Sequence, residues 1–222
     1  MNYSFNFGAI IGYLPQILHG IEITVELTLF GTFLGVVVSV LCGWARHNGP
    51  WWVKLCVGLY VELIRNTPFI VQLVFIFFGL PQLGLELPAI DASILAMVIN
   101  LGAYGTEIVR SGLANTPRGQ IEAGASLGMS SVQIFWHIVI NPALFRVWPA
   151  LSSQIIIVML GSSVCSQISV QELTYAASYI QSRTFRAFES YFTVTALYLI
   201  LALAMRKILR LTGEHLFYKG MA

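Results

Sequence analysis

Charge is what this sequence of 222 residues has least of. Asp, Glu, Lys and Arg make up 10% of it, where soluble domains carry about a quarter, and 57% of the residues are hydrophobic. A chain so poor in ionic groups cannot cover its surface against water, and its mean hydropathy of +0.77 excludes an ordinary soluble globule. No Lys or Arg precedes Arg46, so the basic segment of a cleavable leader is missing and none is expected. Cys42, Cys56 and Cys165 are too scattered for a disulfide framework or a metal site and read as small core residues. His19, His47, His137 and His215 show no ligand spacing either, so neither metal nor cofactor is expected. No Gly-x-x-x-x-Gly-Lys-Ser/Thr loop is present to cradle ATP phosphates, and no catalytic constellation stands out. No enzyme is expected, and if ATP drives any process here another subunit hydrolyses it. A net charge of +2 gives no reason to expect a nucleic acid.

Long apolar runs fill the rest. They predict an all-α, polytopic membrane protein with about five transmembrane helices, near residues 20–44, 51–79, 89–109, 148–168 and 188–209. The second run is too long for one straight helix, because roughly 29 residues at about 1.5 Å each exceed a ~30 Å core. Pro68 falls in its middle and removes a helical hydrogen bond, so this span is expected to break at Arg65-Asn66-Thr67-Pro68. Basic residues cluster in the turn after span one (Arg46, His47, Lys54), in the loop after span three (Arg110, Arg118, Arg146) and in the tail (Arg206, Lys207, Arg210, Lys219). The intervening loops hold Glu86 and Asp91, and a balanced set of Glu172, Arg183, Arg186 and Glu189. The positive-inside rule therefore predicts an outside (periplasmic) N-terminus and a cytoplasmic C-terminus and 110–147 loop. Residues 1–222 read as one transmembrane domain, its core about 20–210, with membrane lipid around it. Gly31, Gly35, Ser39 and Gly43 recur every fourth residue along span one, a stripe that lets another helix pack closely.

A charge near mid-span is costly unless it faces protein or water, which makes Arg65 a functional candidate. Its partner is either a substrate carboxylate, matched to the guanidinium fork, or an internal carboxylate such as Glu62 or Glu107. Asn66, Thr67 and Pro68 mark freed backbone groups at the same level, which in transporters line cavities. Asn100, Tyr104 and Glu107 stand at i, i+4 and i+7 on one face of span three. Glu107 is placed to cap or to pair with Arg110, while Asn100 and Tyr104 are open to a helix–helix bond or to substrate. In span four Gln154, Gly161 and Cys165 share a face, Ser162 and Ser163 lie beside them, and Gly161 is expected to admit a close backbone. Between spans three and four, Gly119–Met129 combines Glu122 with the small residues Ala123, Gly124 and Ala125, followed by Gly128. Small side chains there are expected to let a partner approach the backbone.

Four segments in order resemble the polar amino acid branch of bacterial ABC-importer permeases. They are Tyr60 to Pro68 with the Val71-Gln-Leu-Val and Phe77 to Pro81 runs, Gly102 to Arg110, Gly119 to Met129, and Pro142 to Arg146 leading into Pro149. The third is similar to the cytoplasmic EAA loop that docks into the ATPase subunit. The resemblance implies the type I importer permease (MetI-like) fold and a bacterial inner-membrane location. It implies a second permease subunit, identical or homologous, an ABC ATPase dimer, and a periplasmic or tethered substrate-binding protein. It makes Arg65, Asn66, Thr67, Asn100, Tyr104, Gly161, Ser162 and Ser163 the expected substrate path, and Glu122, Ala123, Gly124 and Gly128 the expected ATPase contact. The implied activity is uptake of polar amino acids by alternating access, with an opine or other amino-acid-like compound as the alternative cargo. A secondary transporter needing no ATPase would call for inverted repeats, and no convincing pair of halves is visible. Three positions depart from the family pattern. Asn66 replaces a glycine, Ile140-Asn141-Pro142 moves a proline one place on, and Leu160-Gly161-Ser162-Ser163-Val164 replaces a run with a Lys-Asp pair.

Overall fold

Apolar runs of this length become helices because a membrane offers the backbone no other hydrogen-bond partner. The computed structural model describes residues 5–218, so Lys219, counted above in the basic tail, lies outside the described residues. After a short turn at Gly8–Ile11 come α1 (Leu14–Asn48) and a broken pair, α2 (Trp51–Arg65) and α3 (Phe69–Leu83). α4 (Ala89–Ala114), α5 (Arg118–Ser126) and α6 (Ser131–Ile168) follow, then α7 (Leu173–Thr184) and α8 (Ala187–Leu216). α1, α4, α6 and α8 are each long and apolar enough to cross a membrane, and the bent α2–α3 pair brings the number to five where it counts as one span.

The break falls at the proline, as the sequence predicts. α2 ends at Arg65, and α3 leaves at a bend of 109°. Pro68 donates no hydrogen bond and pushes Thr67 out of helical conformation, so α2 cannot continue. α6 departs from expectation by starting at Ser131 instead of near 148 and running through Pro142 and Pro149. One widened π turn, Phe135–Val139, sits just ahead of Pro142, where the regular ladder would need the amide that proline lacks. Much of the stretch read as loop is therefore helix.

Packing divides the chain into two units. The first takes in the chain up to Phe33, Pro68–Met97 and Ile156–Met205. Its core joins Ile10 and Ile17 to Leu173, Ala177 and Ile180, one apolar face of α7, and to Val194 of α8. Gly20 packs tightly on the start of α7, since a Cβ there would lie 3.1 Å from the Leu173 Cα. Glu172 caps α7, accepting from the amides of Thr174 at 2.8 Å and Tyr175 at 2.9 Å and from the Tyr198 hydroxyl. Both Glu172 and Glu189 are 0% exposed, although the sequence counted them as loop charges. Glu189 accepts from Arg186 at 2.9 Å and from the Asn6 amide at 3.0 Å.

Burial pushes the Glu172 carboxyl above its ordinary range, and its amide and hydroxyl donors only partly offset that. The folded state then holds this proton more tightly than the unfolded chain. Between the ordinary and the raised value, lowering the pH stabilises the fold, and raising it removes that stability. We expect the melting temperature of the solubilised transporter to rise on mild acidification, and Glu172→Gln to flatten this slope. An unchanged slope in the variant would assign the effect to another group.

The second unit takes in Leu34–Thr67, Val98–Ile155 and the chain from Arg206. The glycine stripe of α1 meets α4 here. A Cβ on Gly35 would lie 2.8 Å from Leu101 and one on Gly43 2.8 Å from Val109, while the Ser39 hydroxyl donates to the Leu101 carbonyl at 3.1 Å. The Tyr60 hydroxyl fastens α2 to α4 by donating to the Ile99 carbonyl at 2.7 Å. Arg146 of α6 donates to the Asn115 carbonyl just past α4 at 2.8 Å, and the Trp148 indole donates to the Leu209 carbonyl of α8 at 2.9 Å.

Candidate functional site

The helix break places Arg65 at the last position of α2 with an exposed side chain. Its guanidinium carbon stands 5.4 Å from the centre of the Tyr104 ring, a cation–π geometry. The Tyr104 hydroxyl donates to the Arg65 carbonyl at 3.3 Å, so one residue of α4 holds both ends of Arg65. Among the described residues no carboxylate makes a close ion pair with it, although Glu107 lies within electrostatic reach. Glu62 accepts from the Asn66 amide group at 3.2 Å, and Glu107 pairs with Arg46 and, at 3.0 Å, with Arg110. Neither internal ion pair weighed for Arg65 is formed, whereas the pairing of Glu107 with Arg110 is. Asn66 and Thr67 close the end of α2, donating to the Glu62 carbonyl at 2.8 Å and the Leu63 carbonyl at 2.7 Å. Asn100 lies one turn from Tyr104 on α4 and is half-buried. The second unit thus brings Arg65, Asn66, Thr67 and Tyr104 together.

Gly161, Ser162 and Ser163 belong to the first unit, where α6 tightens from α to 3₁₀ geometry over Ser162–Ile168. The two serine hydroxyls donate to their own helix, to Met159 at 2.6 Å and Leu160 at 2.7 Å. A Cβ on Gly161 would meet nothing within 4 Å, so among the described residues no neighbouring element uses the space that glycine leaves.

The Gly119–Met129 segment is α5 and its cap. α5 closes in a Schellman turn, with Gly128 N donating to Ala125 O at 3.0 Å and Met129 N to Gly124 O at 3.1 Å. Gly128 makes this possible with φ +76°, a left-handed conformation that other residues resist. Ser130 and Gln133 then form a reciprocal capping box that starts α6. Glu122, Ala123 and Ala125 are exposed, and so is Leu127. Gly124 is not: a Cβ there would lie 2.6 Å from Ile138, so its smallness serves packing of α5 on α6 and not the approach of a partner. Met129 completes that packing against a core of Val109, Leu113, Ile134, Val139, Ile140 and Ala143.

This helical frame and its short capped element match known transporters. The family model for the binding-protein-dependent transport system inner membrane component matches residues 35–212. The chain belongs to that family. Similar relatives include the glutamine transport system permease protein GlnP of Escherichia coli K12, 34% identical over 93% of this chain and 95% of the relative. The octopine transport system permease protein OccM of Rhizobium radiobacter is 31% identical over 88% of this chain and 83% of its own length. Among solved structures, an amino acid ABC transporter crystallised with histidines matches at a TM-score of 0.85 and 33% identity, covering 96% of this chain and 100% of that one. The methionine transporter MetNI shares the fold at a TM-score of 0.77, covering 90% of this chain and 96% of that one at 20% identity.

The permease is all-α, with four to five membrane-spanning helices in the MetI-like arrangement. It is a multi-pass inner-membrane subunit of an ABC importer and not itself the ATPase. Permeases of this family work with a second permease, an ATPase dimer and a substrate-binding protein. Three features escaped sequence reasoning. Arg46 and Glu107 are 61 residues apart and only folding pairs them. Burial of Glu172 and Glu189 left no trace, because acidic residues between spans look like surface. The internal role of Gly124 was hidden by its small exposed neighbours.

Proposed function

We propose that this permease carries polar amino acids, or amino-acid-like compounds such as opines, into the cytoplasm by alternating access. The similarity to the glutamine and octopine permeases supports the cargo class. The observation that carries the reading is Arg65, a cation ordered over Tyr104 and in no close ion pair among the described residues. A guanidinium so placed accepts a substrate carboxylate without first breaking an ion pair. Asn66, Thr67, Asn100 and Tyr104 line the path beside it. α5 presents Glu122 and Ala123 to the ATPase, while Gly124 and Gly128 hold its shape. Closure of the ATPase dimer on ATP moves α5, and the spans switch which side is open. Residues 1–222 act as one transmembrane domain, paired with an identical or homologous permease and fed by a periplasmic or tethered binding protein.

The basic residues of the turn at Arg46–Lys54, the α5 segment and the tail support a cytoplasmic C-terminus and a periplasmic N-terminus. The test is uptake by proteoliposomes holding this permease with its ATPase and binding protein. Radiolabelled polar amino acids or opines should enter only when ATP and binding protein are both supplied. Uptake that persists without ATP hydrolysis would sink the reading. In intact cells, a thiol reagent applied from outside should label a cysteine at Ser178 and spare one at Ser130. The reverse pattern would invert the topology.

A further inference from the structure

The turn joining α1 to α2 gathers more positive charge than it neutralises. Glu107 pairs with both Arg46 and Arg110, so one carboxylate faces two guanidinium groups. The Arg46 guanidinium also lies over α2, 3.8 Å from where a Cβ would stand on Gly58. His47 sits within electrostatic reach of Lys54 and Arg110, and Lys54 is exposed. Counting Arg46, Lys54 and Arg110 against Glu107, three cations stand over one anion.

Beside this cluster the surface becomes apolar in an ordered way. Trp51, 76% exposed, heads a row of Leu55, Leu59 and Leu63, all exposed and each four residues on along α2. Trp52, 57% exposed, flanks it. Exposed tryptophans mark headgroup level, and an apolar ridge below them faces hydrocarbon. A ligand matching both parts has an anionic head and a long tail. We propose that this turn is a binding site for an anionic phospholipid, its phosphate held by Lys54, His47 and Arg110 and one acyl chain laid along Trp51, Leu55, Leu59 and Leu63. Arg46 and Glu107 fix the position of Arg110 and do not themselves need to bind.

The experiment uses the assembled transporter in neutral detergent, with phosphatidylglycerol and phosphatidylcholine of equal chain length compared by native mass spectrometry. Phosphatidylglycerol should be retained several-fold better, and Lys54→Gln should weaken it about fivefold, the worth of one cation near an anionic headgroup. Brominated-tail phosphatidylglycerol should quench tryptophan fluorescence, and Trp51→Phe should remove most of that quenching. Equal retention of the two lipids, or unchanged binding in Lys54→Gln, would overturn the proposal. Displacement by inorganic phosphate without loss of tail quenching would reassign the cations to a free anion site. Dissociation of the permease pair in Leu55→Gln would assign the ridge to a subunit contact, and loss of the ATPase in Lys54→Gln would assign the cations to that partner.

Discussion

Replacing Gly128 by valine should abolish coupling, leaving a permease in the membrane whose substrate no longer stimulates ATP hydrolysis. Gly128 holds φ +76° with open space around its Cβ position, so backbone conformation and not crowding forbids a side chain. A left-handed residue costs about 1–2 kcal/mol for most side chains, and a β-branched one is a genuine outlier there. α5 has nine residues, too few to stand without its cap and its packing. Losing the Schellman bonds frees Met129 from the α5–α6 core and tilts the surface that carries Glu122 and Ala123. Substrate-stimulated ATPase activity and co-purification of the ATPase should both fall at least about tenfold, the ratio that ~1.4 kcal/mol produces. Gly128→Asn should retain much of both, because asparagine tolerates the left-handed region. Gly119→Ala, where nothing lies within 4 Å, should be silent. Wild-type coupling in Gly128→Val would show that α5 is not the docking element.

Arg65→Ala should cut uptake by about 10–100-fold while basal ATPase activity and assembly persist. That range corresponds to the ~1.5–3 kcal/mol typical of a hydrogen bond to a charged group. Since neither Glu62 nor Glu107 pairs with Arg65, a second change, Glu62→Gln, should not restore transport. Tyr104→Phe keeps the ring under the guanidinium and should be mild, whereas Tyr104→Leu removes it and should be more severe. Near-normal uptake in Arg65→Ala would remove this residue from the path. Rescue by Glu62→Gln would instead mean that the pair forms during the cycle.

What the sequence disclosed and what it hid divide along a physical line. Local chemistry was readable: the break at Pro68, the five apolar runs and the glycine stripe that α4 fills. Each depends on residues within a few turns of one another. That the helix carrying the fourth span begins as early as Ser131 was not legible, because nothing local announces the widened turn that accommodates Pro142. Burial of Glu172 depends on Thr24 and Tyr198, far away in the chain, whose hydroxyls build the polar surroundings of the α7 cap. At the site, Arg65 stood out by charge alone. That Tyr104 would hold it, and that Arg46 and Arg110 would occupy Glu107, required the fold.

The widened turn in α6 also acts as a phase shifter. A π turn holds one residue more than an α turn, and each residue advances a helix by about 100°. Residues before Phe135 are therefore rotated by that amount relative to those after Val139, compared with an uninterrupted helix. The first turn of α6, which packs against α5, and the rest of the helix can be aimed independently without a loop between them. Removing one residue from this turn would keep the helix nearly as long and as stiff, yet point its Ser131 end at a different neighbour.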